Sequence, residues 1–300
     1  MTSRRTLTLV AIVVWVAVAL TASPRALSLH HPARHVNSID LPAANCSDLH
    51  VRFDDHETIV QSEERTVSKS EAPTLRVHAE ANGGLYVQGS DQDVYSVTLC
   101  KAVEAGSDAQ ATLAGMHLSL QDGDLRITSP GSDGRWSAHL IIRAPKAAAL
   151  ELQVHNGPMT LDHVDGRVTA RTENGPITVT NCTGELSLSS RNGPVTLEDN
   201  SGKQSVDSEN GPLTLSLSGD SWNGSGIDAR TTNGPLTLKV PSGYRSGVLL
   251  ESDGNSPFQC RASVCSEGRK TWDDDHKRVE FGSGPTVVRL STVNGPVSVR

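Results

Sequence analysis

Aromatic side chains make up only 3 % of these 300 residues, which leaves few flat platforms for stacking on bases or sugars. Basic residues are outnumbered by acidic ones, 27 against 34, for a net charge of −7. Without a Lys/Arg stripe, such a chain is a poor match for nucleic acid or an anionic membrane face. No CxxC pair occurs, and the five cysteines (Cys46, Cys100, Cys182, Cys260, Cys265) follow no zinc spacing. No metal or other cofactor is expected.

A long apolar run occurs near the start, "LTLVAIVVWVAVAL", after Arg4 and Arg5 and before "TASPRALS". It is about as long as a signal-peptide core and short for a bilayer span. Residues 1–26 are read as an export signal cleaved between about Ala22 and Ala26, with an uncleaved N-terminal membrane anchor as the alternative. No cysteine follows closely enough for lipid anchoring there. Residues 27–45 read as a linker. Export permits disulfides, and an odd cysteine count leaves at least one thiol unpaired in a monomer. Cys260 and Cys265 flank a four-residue gap and can close it. Cys46 with Cys100 is a second pairing, and free buried thiols are the alternative.

What the chain has in quantity is Ser, Thr, Gly, Asn and Val, the composition of short strands joined by tight turns. Asn-Gly-Pro occurs six times: Asn156-Gly157-Pro158, Asn174-Gly175-Pro176, Asn192-Gly193-Pro194, Asn210-Gly211-Pro212, Asn233-Gly234-Pro235 and Asn294-Gly295-Pro296. The intervals are 18, 18, 18, 23 and 61 residues, and a degenerate Asn-Gly-Gly starts at Asn82. Repeats of this kind dictate the fold.

Three and five residues after each Asn stand Met159/Leu161, Ile177/Val179, Val195/Leu197, Leu213/Leu215, Leu236/Leu238 and Val297/Val299. Four and six residues before it the chain is also apolar, from Leu152/Leu150 to Leu290/Val288, and only Gln204 breaks the rule. Alternation with period two on both sides of the turn predicts two half-buried strands per repeat. In the turn itself, Asn can close an Asx-turn on its own backbone, Gly tolerates positive φ, and Pro suits the first residue of a strand. A second turn is expected at Gly166, Gly184 and Gly202.

Two all-β architectures fit. One is a β-solenoid of about 18-residue coils with parallel strands about 4.8 Å apart; the other is an antiparallel β-meander or roll in which each repeat is a hairpin. The solenoid explains better why equivalent positions keep their identity. Thr172, Ser190, Ser208, Thr231 and Thr292, for example, stand two residues before their Asn and would form a hydroxyl ladder under the corner. Neither architecture contains an appreciable helix. Residues 46–145 read as a more irregular β section. Residues 146–300 form the repeat body, with an inserted loop at 253–278 before a last coil. That coil ends the chain on a strand, whose edge needs cover from the insertion or from a partner.

At this point the chain resembles the bacterial β-strand-repeat proteins for which adhesion has been proposed, catalogued as a domain of unknown function. The likeness rests on the entry segment "LIIRAPKAAALELQVHNGP" and on alternating strands punctuated by NGP, then Ile, Leu, Met or Val, then Thr, then Leu or Val, over roughly Leu75 to Arg300. The resemblance implies an exported bacterial envelope protein. It brings no catalytic motif and no site residue.

Candidate chemistry is sparse. Asp162 and Glu198 would lie on alternate coils about 10 Å apart, a carboxylate pair of the kind polysaccharide-cleaving β-helix enzymes use; a solvated sheet face is the plainer reading. Asp273, Asp274, Asp275 and His276 could ligate a hard cation but lack EF-hand spacing, and an exposed acidic loop is favoured. His30, His31 and His35 form a histidine cluster in the linker. Thr160, Thr178, Thr196, Thr214, Thr237 and Ser298 would form an outward hydroxyl column of the type that can meet an ordered surface, although Thr is also an ordinary solvent-face strand residue. Cys182 reads as a structural thiol.

The expected function is therefore a non-catalytic exported envelope protein of the periplasm or cell surface. It would act as an adhesin-like display or binding scaffold for a glycan or protein, with membrane attachment only through the N-terminal segment. A periplasmic stress or assembly scaffold and a polysaccharide-processing enzyme are the alternatives.

Overall fold

The computed structural model describes residues 45–53, 56–128, 135–253, 256–273 and 275–300, without the side chains of Glu80 and Ala81. The export signal, residues 27–44 of the linker, the His30, His31, His35 cluster and Asp274 lie outside the described residues. Among the described residues no helix is long and apolar enough to cross a membrane.

Period-two alternation becomes strand almost everywhere. The first section contains β1 (Thr58–Ser68), β2 (Thr74–Asn82), β3 (Leu85–Ser90), β4 (Val94–Glu104), the helix α1 (Ala109–Gly115), β5 (His117–Gln121), β6 (Asp124–Thr128) and β7 (Trp136–Pro145). Long and short strands then alternate: β8 (Ala149–Asn156), β9 (Met159–Asp162), β10 (Arg167–Asn174), β11 (Ile177–Thr180), β12 (Glu185–Asn192), β13 (Val195–Glu198), β14 (Lys203–Asn210), β15 (Leu213–Ser216), β16 (Gly226–Asn233) and β17 (Leu236–Lys239). The last section holds β18 (Gly247–Asp253), β19 (Phe258–Cys260), β20 (Arg269–Trp272), β21 (His276–Phe281), β22 (Thr286–Asn294) and β23 (Val297–Val299).

These strands form two large sheets. Sheet I runs β1-β4-β7-β3-β9-β11-β13-β15-β17-β23-β19, and sheet II runs β20-β21-β18-β22-β16-β14-β12-β10-β8-β2-β6-β5. The two strands of one repeat lie in different sheets. Each pairs in parallel with its equivalent in the next repeat, so that Asn156, Asn174, Asn192, Asn210, Asn233 and Asn294 stand in one row. The apolar rows on both sides of the corner face inward and are buried between the sheets. Gln204 sits in such a row, 3 % exposed, and its Nε2 donates to the Ser201 carbonyl at 3.1 Å.

The corner works differently from an Asx-turn. Each Asn amide donates to the Oδ1 of the Asn before it in the row, through five hydrogen bonds of 2.9–3.1 Å. The backbone runs the other way: Gly175 N–H donates to the Asn192 carbonyl, and Gly193 N–H to that of Asn210, both at 2.9 Å. Glycine is needed at Gly193 because its φ is +150° and a Cβ would lie 2.2 Å from the Gly175 carbonyl oxygen. Hydroxyls under the corner do not bond to one another. Thr231 and Thr292 donate to the carbonyls of Gly211 and Gly234, while the buried hydroxyls of Thr172, Ser190 and Ser208 have no hydrogen-bond partner among the described residues.

Deamidation of an Asn-Gly pair requires the glycine nitrogen to attack the Asn side-chain carbonyl. Here that nitrogen is committed to the Asn carbonyl of the next repeat. Asn174, Asn192 and Asn210 should therefore keep their amides in the folded protein and lose them after unfolding, as peptide mapping after mild alkaline incubation would show. Rapid loss from the folded chain would contradict the locked corner.

The second turn is also built differently from expectation. Its positive φ falls on His163 (55°), Asn181 (55°) and Asp199 (54°), three residues ahead of the glycines. Of those glycines only Gly202 has positive φ (88°); Gly184 is required by close approach, since a Cβ would meet the Gly166 carbonyl oxygen at 1.9 Å.

Two regions depart from the reading of the sequence. The irregular section contains a helix, α1, where none of note was expected. Its Ala109 and Leu113, one turn apart, are both buried, and Ala, Gln and Leu are good helix formers. Residues 253–278, read as a loop, contribute strands to both sheets. Moreover, chain order and spatial order part company there: β22 and β23 lie directly against β16 and β17, while the earlier β18 and β19 pack outside them. Ser256-Pro257 stands where the other corners have Gly-Pro. The Pro257 carbonyl accepts Val297 N–H at 2.9 Å, as the Pro296 carbonyl accepts Leu236 N–H. The edge of the last repeat is thus covered by an earlier part of the chain.

At the other end, Glu63 on β1 closes the space between the sheets. Its Oε2 lies 2.7 Å from Nζ of the nearly buried Lys101, and its Oε1 accepts Leu118 N–H from β5, at the edge of sheet II, at 3.0 Å. Burial pushes this carboxyl's pKa up, but the Lys101 ammonium and the Leu118 N–H outweigh it and hold the group below the usual carboxylate range. Removing one partner of such a pair strands the other. Glu63→Ala should therefore cost about 2 kcal/mol, less than a fully buried pair because Glu63 is partly solvated. Urea unfolding would measure it, and Glu63→Gln, which keeps an acceptor, should lose less.

Candidate functional site

Two outward faces are available, one on each sheet. On sheet I, Thr160, Thr178, Thr196, Thr214, Thr237 and Ser298 align strand by strand in one column. Thr160 is buried, and the rest are half-buried. The column begins beside Tyr86, which packs with Leu49, Cys100 and Ile141 under the segment that precedes β1. That segment is tied down by the Cys46–Cys100 disulfide.

Asp162 and Glu198 occupy the next outward column with Thr180 between them. Each has its own neighbour. Asp162 Oδ1 is 2.6 Å from His163 Nδ1 and its Oδ2 accepts Gln88 Nε2 at 3.3 Å, whereas Glu198 lies 4.0 Å from Lys239. The two carboxylates do not converge on a shared space, as a glycosidase pair must.

A Ser–His pair that the sequence did not suggest lies under the same covering segment. Ser137 Oγ is 2.7 Å from His139 Nε2, with both residues almost fully buried. The hydrogen bonds define its role. Gly84 N–H donates to Nδ1 at 2.8 Å, so the neutral ring carries its proton on Nε2 and donates to Ser137. Ser137 in turn donates to the Asn82 carbonyl at 3.0 Å. A ring that donates to the serine cannot take its proton, so the pair is a brace for the Asn82-Gly83-Gly84 corner and not a nucleophile with its base. Burial holds the His139 pKa down at about 4.

Cys182 is buried and free of disulfide. Val164 N–H donates to its sulfur and the thiol faces the Thr180 carbonyl, both at 3.4 Å; burial pushes its pKa up to about 12, the opposite of a reactive cysteine. Cys260 and Cys265 are joined as a disulfide. Of the acidic run, Asp273 caps the β20–β21 turn: its Oδ1 accepts the N–H groups of His276 at 2.6 Å and Asp275 at 3.0 Å. These bonds, His276 first, hold its carboxyl below the usual range. Among the described residues no group of three or more His, Cys, Asp or Glu side chains is placed to hold a metal.

Sheet II carries the more open surface. A groove of about 480 Å³ runs across β8, β10, β12, β14 and β16 beside the corners. Its floor is the column Gln153, Arg171, Ser189, Asp207 and Arg230, one residue per strand. Glu173, Arg191 and Glu209 form a wall; Glu173 pairs with His155 at 3.0 Å and Arg191 with Glu209 at 3.5 Å. A second groove of about 490 Å³ continues past Arg230 towards β18 and β21. Period-two alternation marked these residues as outward, but only the parallel register shows that Arg171 and Arg230, 59 positions apart in sequence, share one groove.

No family model matches the chain, and no curated protein matches it. Among solved structures it is similar to a proposed cell adhesion protein from Clostridium sporogenes (12 % identity, TM-score 0.32, covering 80 % of this chain and 99 % of that one). It is also similar to a proposed adhesin from Bacteroides fragilis (11 %, 0.35, 80 % and 96 %) and to a proposed lipid-binding protein from Parabacteroides distasonis (9 %, 0.37, 80 % and 96 %).

Proposed function

We propose that this chain is a non-catalytic exported protein of the bacterial envelope, and that its repeat body is a β-solenoid presenting polar faces to another macromolecule in an adhesin-like manner. One observation carries the reading: the parallel, in-register corner row that runs from Asn156 to Asn294. Stacked corners fused by backbone and amide hydrogen bonds make a body whose faces cannot rearrange, and binding along it is distributed over many weak contacts rather than set in one pocket. The N-terminal apolar segment, together with two disulfides beside a free buried Cys182, fits an oxidising compartment.

Protease treatment of intact and permeabilised cells carrying a C-terminally tagged copy tests the reading. Cleavage in intact cells is expected for surface display. Protection until permeabilisation would replace it with the periplasmic scaffold.

A further inference from the structure

We propose that the sheet II groove between Arg171 and Arg230 binds an extended, sparsely charged acidic polysaccharide, an inference that rests on the display reading above. Among the described residues, neither guanidinium has an ion-pair or hydrogen-bond partner, whereas the other charged side chains of the wall, Glu173, Arg191 and Glu209, are paired. Arg171 and Arg230 stand three strands apart in one column, roughly 14 Å at the usual strand spacing. A guanidinium free of a partner is a bidentate receptor for carboxylate.

Between the two arginines lie Ser189 and the carboxylate of Asp207, which has no ion-pair partner among the described residues. This pattern rejects a dense polyanion, because a charge on every unit would fall against Asp207, Glu173 and Glu209. It fits a chain with widely separated carboxylates and hydroxyls between them, the hydroxyls donating to Asp207 and exchanging hydrogen bonds with Ser189. An acidic peptide fits less well. Peptides add to sheets through a free strand edge, and every strand under this groove is paired on both sides, which leaves only side chains to meet a ligand.

The test is binding of the full chain to a highly methyl-esterified galacturonan, whose free carboxylates are widely separated, to de-esterified polygalacturonate, to a neutral galactan and to polyglutamate, all of similar length. The highly esterified galacturonan is expected to bind best. The double variant Arg171→Ala/Arg230→Ala should lower its affinity at least tenfold with an unchanged melting temperature, and Lys239→Ala on sheet I should leave it unaltered. The inference is overturned if the esterified galacturonan is not bound, if the double variant stays within twofold, or if polygalacturonate or polyglutamate binds as well, which would make the groove a peptide or charge-only surface. Retention of the chain by intact cells without binding of the esterified galacturonan overturns the groove assignment and leaves the display reading standing; failure of both overturns both.

Discussion

Gly193→Ala should destabilise the folded chain by about 3–4 kcal/mol, the size expected when a strained backbone and a steric clash coincide. The added Cβ would lie 2.2 Å from the Gly175 carbonyl oxygen and 2.6 Å from its carbon, at a φ of +150° that side chains rarely adopt. Relief requires the two corners to separate. That would stretch the hydrogen bond from Gly175 N–H to the Asn192 carbonyl and the amide bond from Asn192 to Asn174. Gly106→Ala is the control, because a Cβ there meets nothing within 4 Å. In thermal unfolding the first variant should melt about 10 °C lower, at 2–4 °C per kcal/mol for a chain of this size, and the control should stay near the parent. Equal melting of the two would remove the close-packed corner as the element that holds neighbouring repeats in register.

The second large effect is an acid-dependent loss of stability centred on His139. Its folded pKa of about 4 lies below the ordinary value of 6.5, so the unfolded chain takes up the proton first. The contribution of the neutral ring is complete above pH 6.5 and falls as the pH drops towards 4, by about 1.4 kcal/mol per unit and about 3 kcal/mol in all. The geometry gives the reason. A protonated ring would turn Nδ1 into a donor facing the Gly84 N–H, in a site without solvent. The carboxyls of Glu63 and Asp273 are held below their ordinary values of 4.5 and 3.8, so their contributions are full above those values and fade as the pH falls below them. The difference between parent and His139→Gln isolates the effect, since a glutamine can accept from Gly84 and donate to Ser137 without titrating. Urea unfolding at intervals from pH 7 to 4 should show the parent losing stability against the variant. Parallel curves would mean that the ring is not held neutral.

Much of the fold was legible because each repeat repeats its instructions. The apolar positions around each Asn-Gly-Pro, Met159 and Leu161 or Ile177 and Val179, identify the inward faces, since a strand has only two faces to choose between. Corner glycines were legible too, although their reason was only half visible: positive φ is a local property, whereas the contact between Gly193 and Gly175 belongs to two repeats at once. The Asn ladder was missed for the same cause. An Asx-turn and an amide stack place the same residue at the same spacing, and only the register between repeats tells them apart.

The candidate site was less legible still. Arg171, Asp207 and Arg230 are ordinary outward residues until β10, β12, β14 and β16 are laid side by side, and His139 looks like any polar residue of a strand until the segment before β1 covers it. The last repeat offers the clearest division. By itself the sequence determined a mainly β chain, the strands and Asn-Gly-Pro corners of the regular repeats and which side of those strands is apolar, because hydrophobic alternation and turn chemistry act over a few residues. Only the tertiary structure decided that β22 and β23 slide between β16 and β17 and the earlier β18 and β19, that Ser256-Pro257 serves as a corner, and that two distant arginines share a groove. Those outcomes depend on which backbone edges remain unpaired once the other strands are in place, a quantity that no stretch of sequence contains alone.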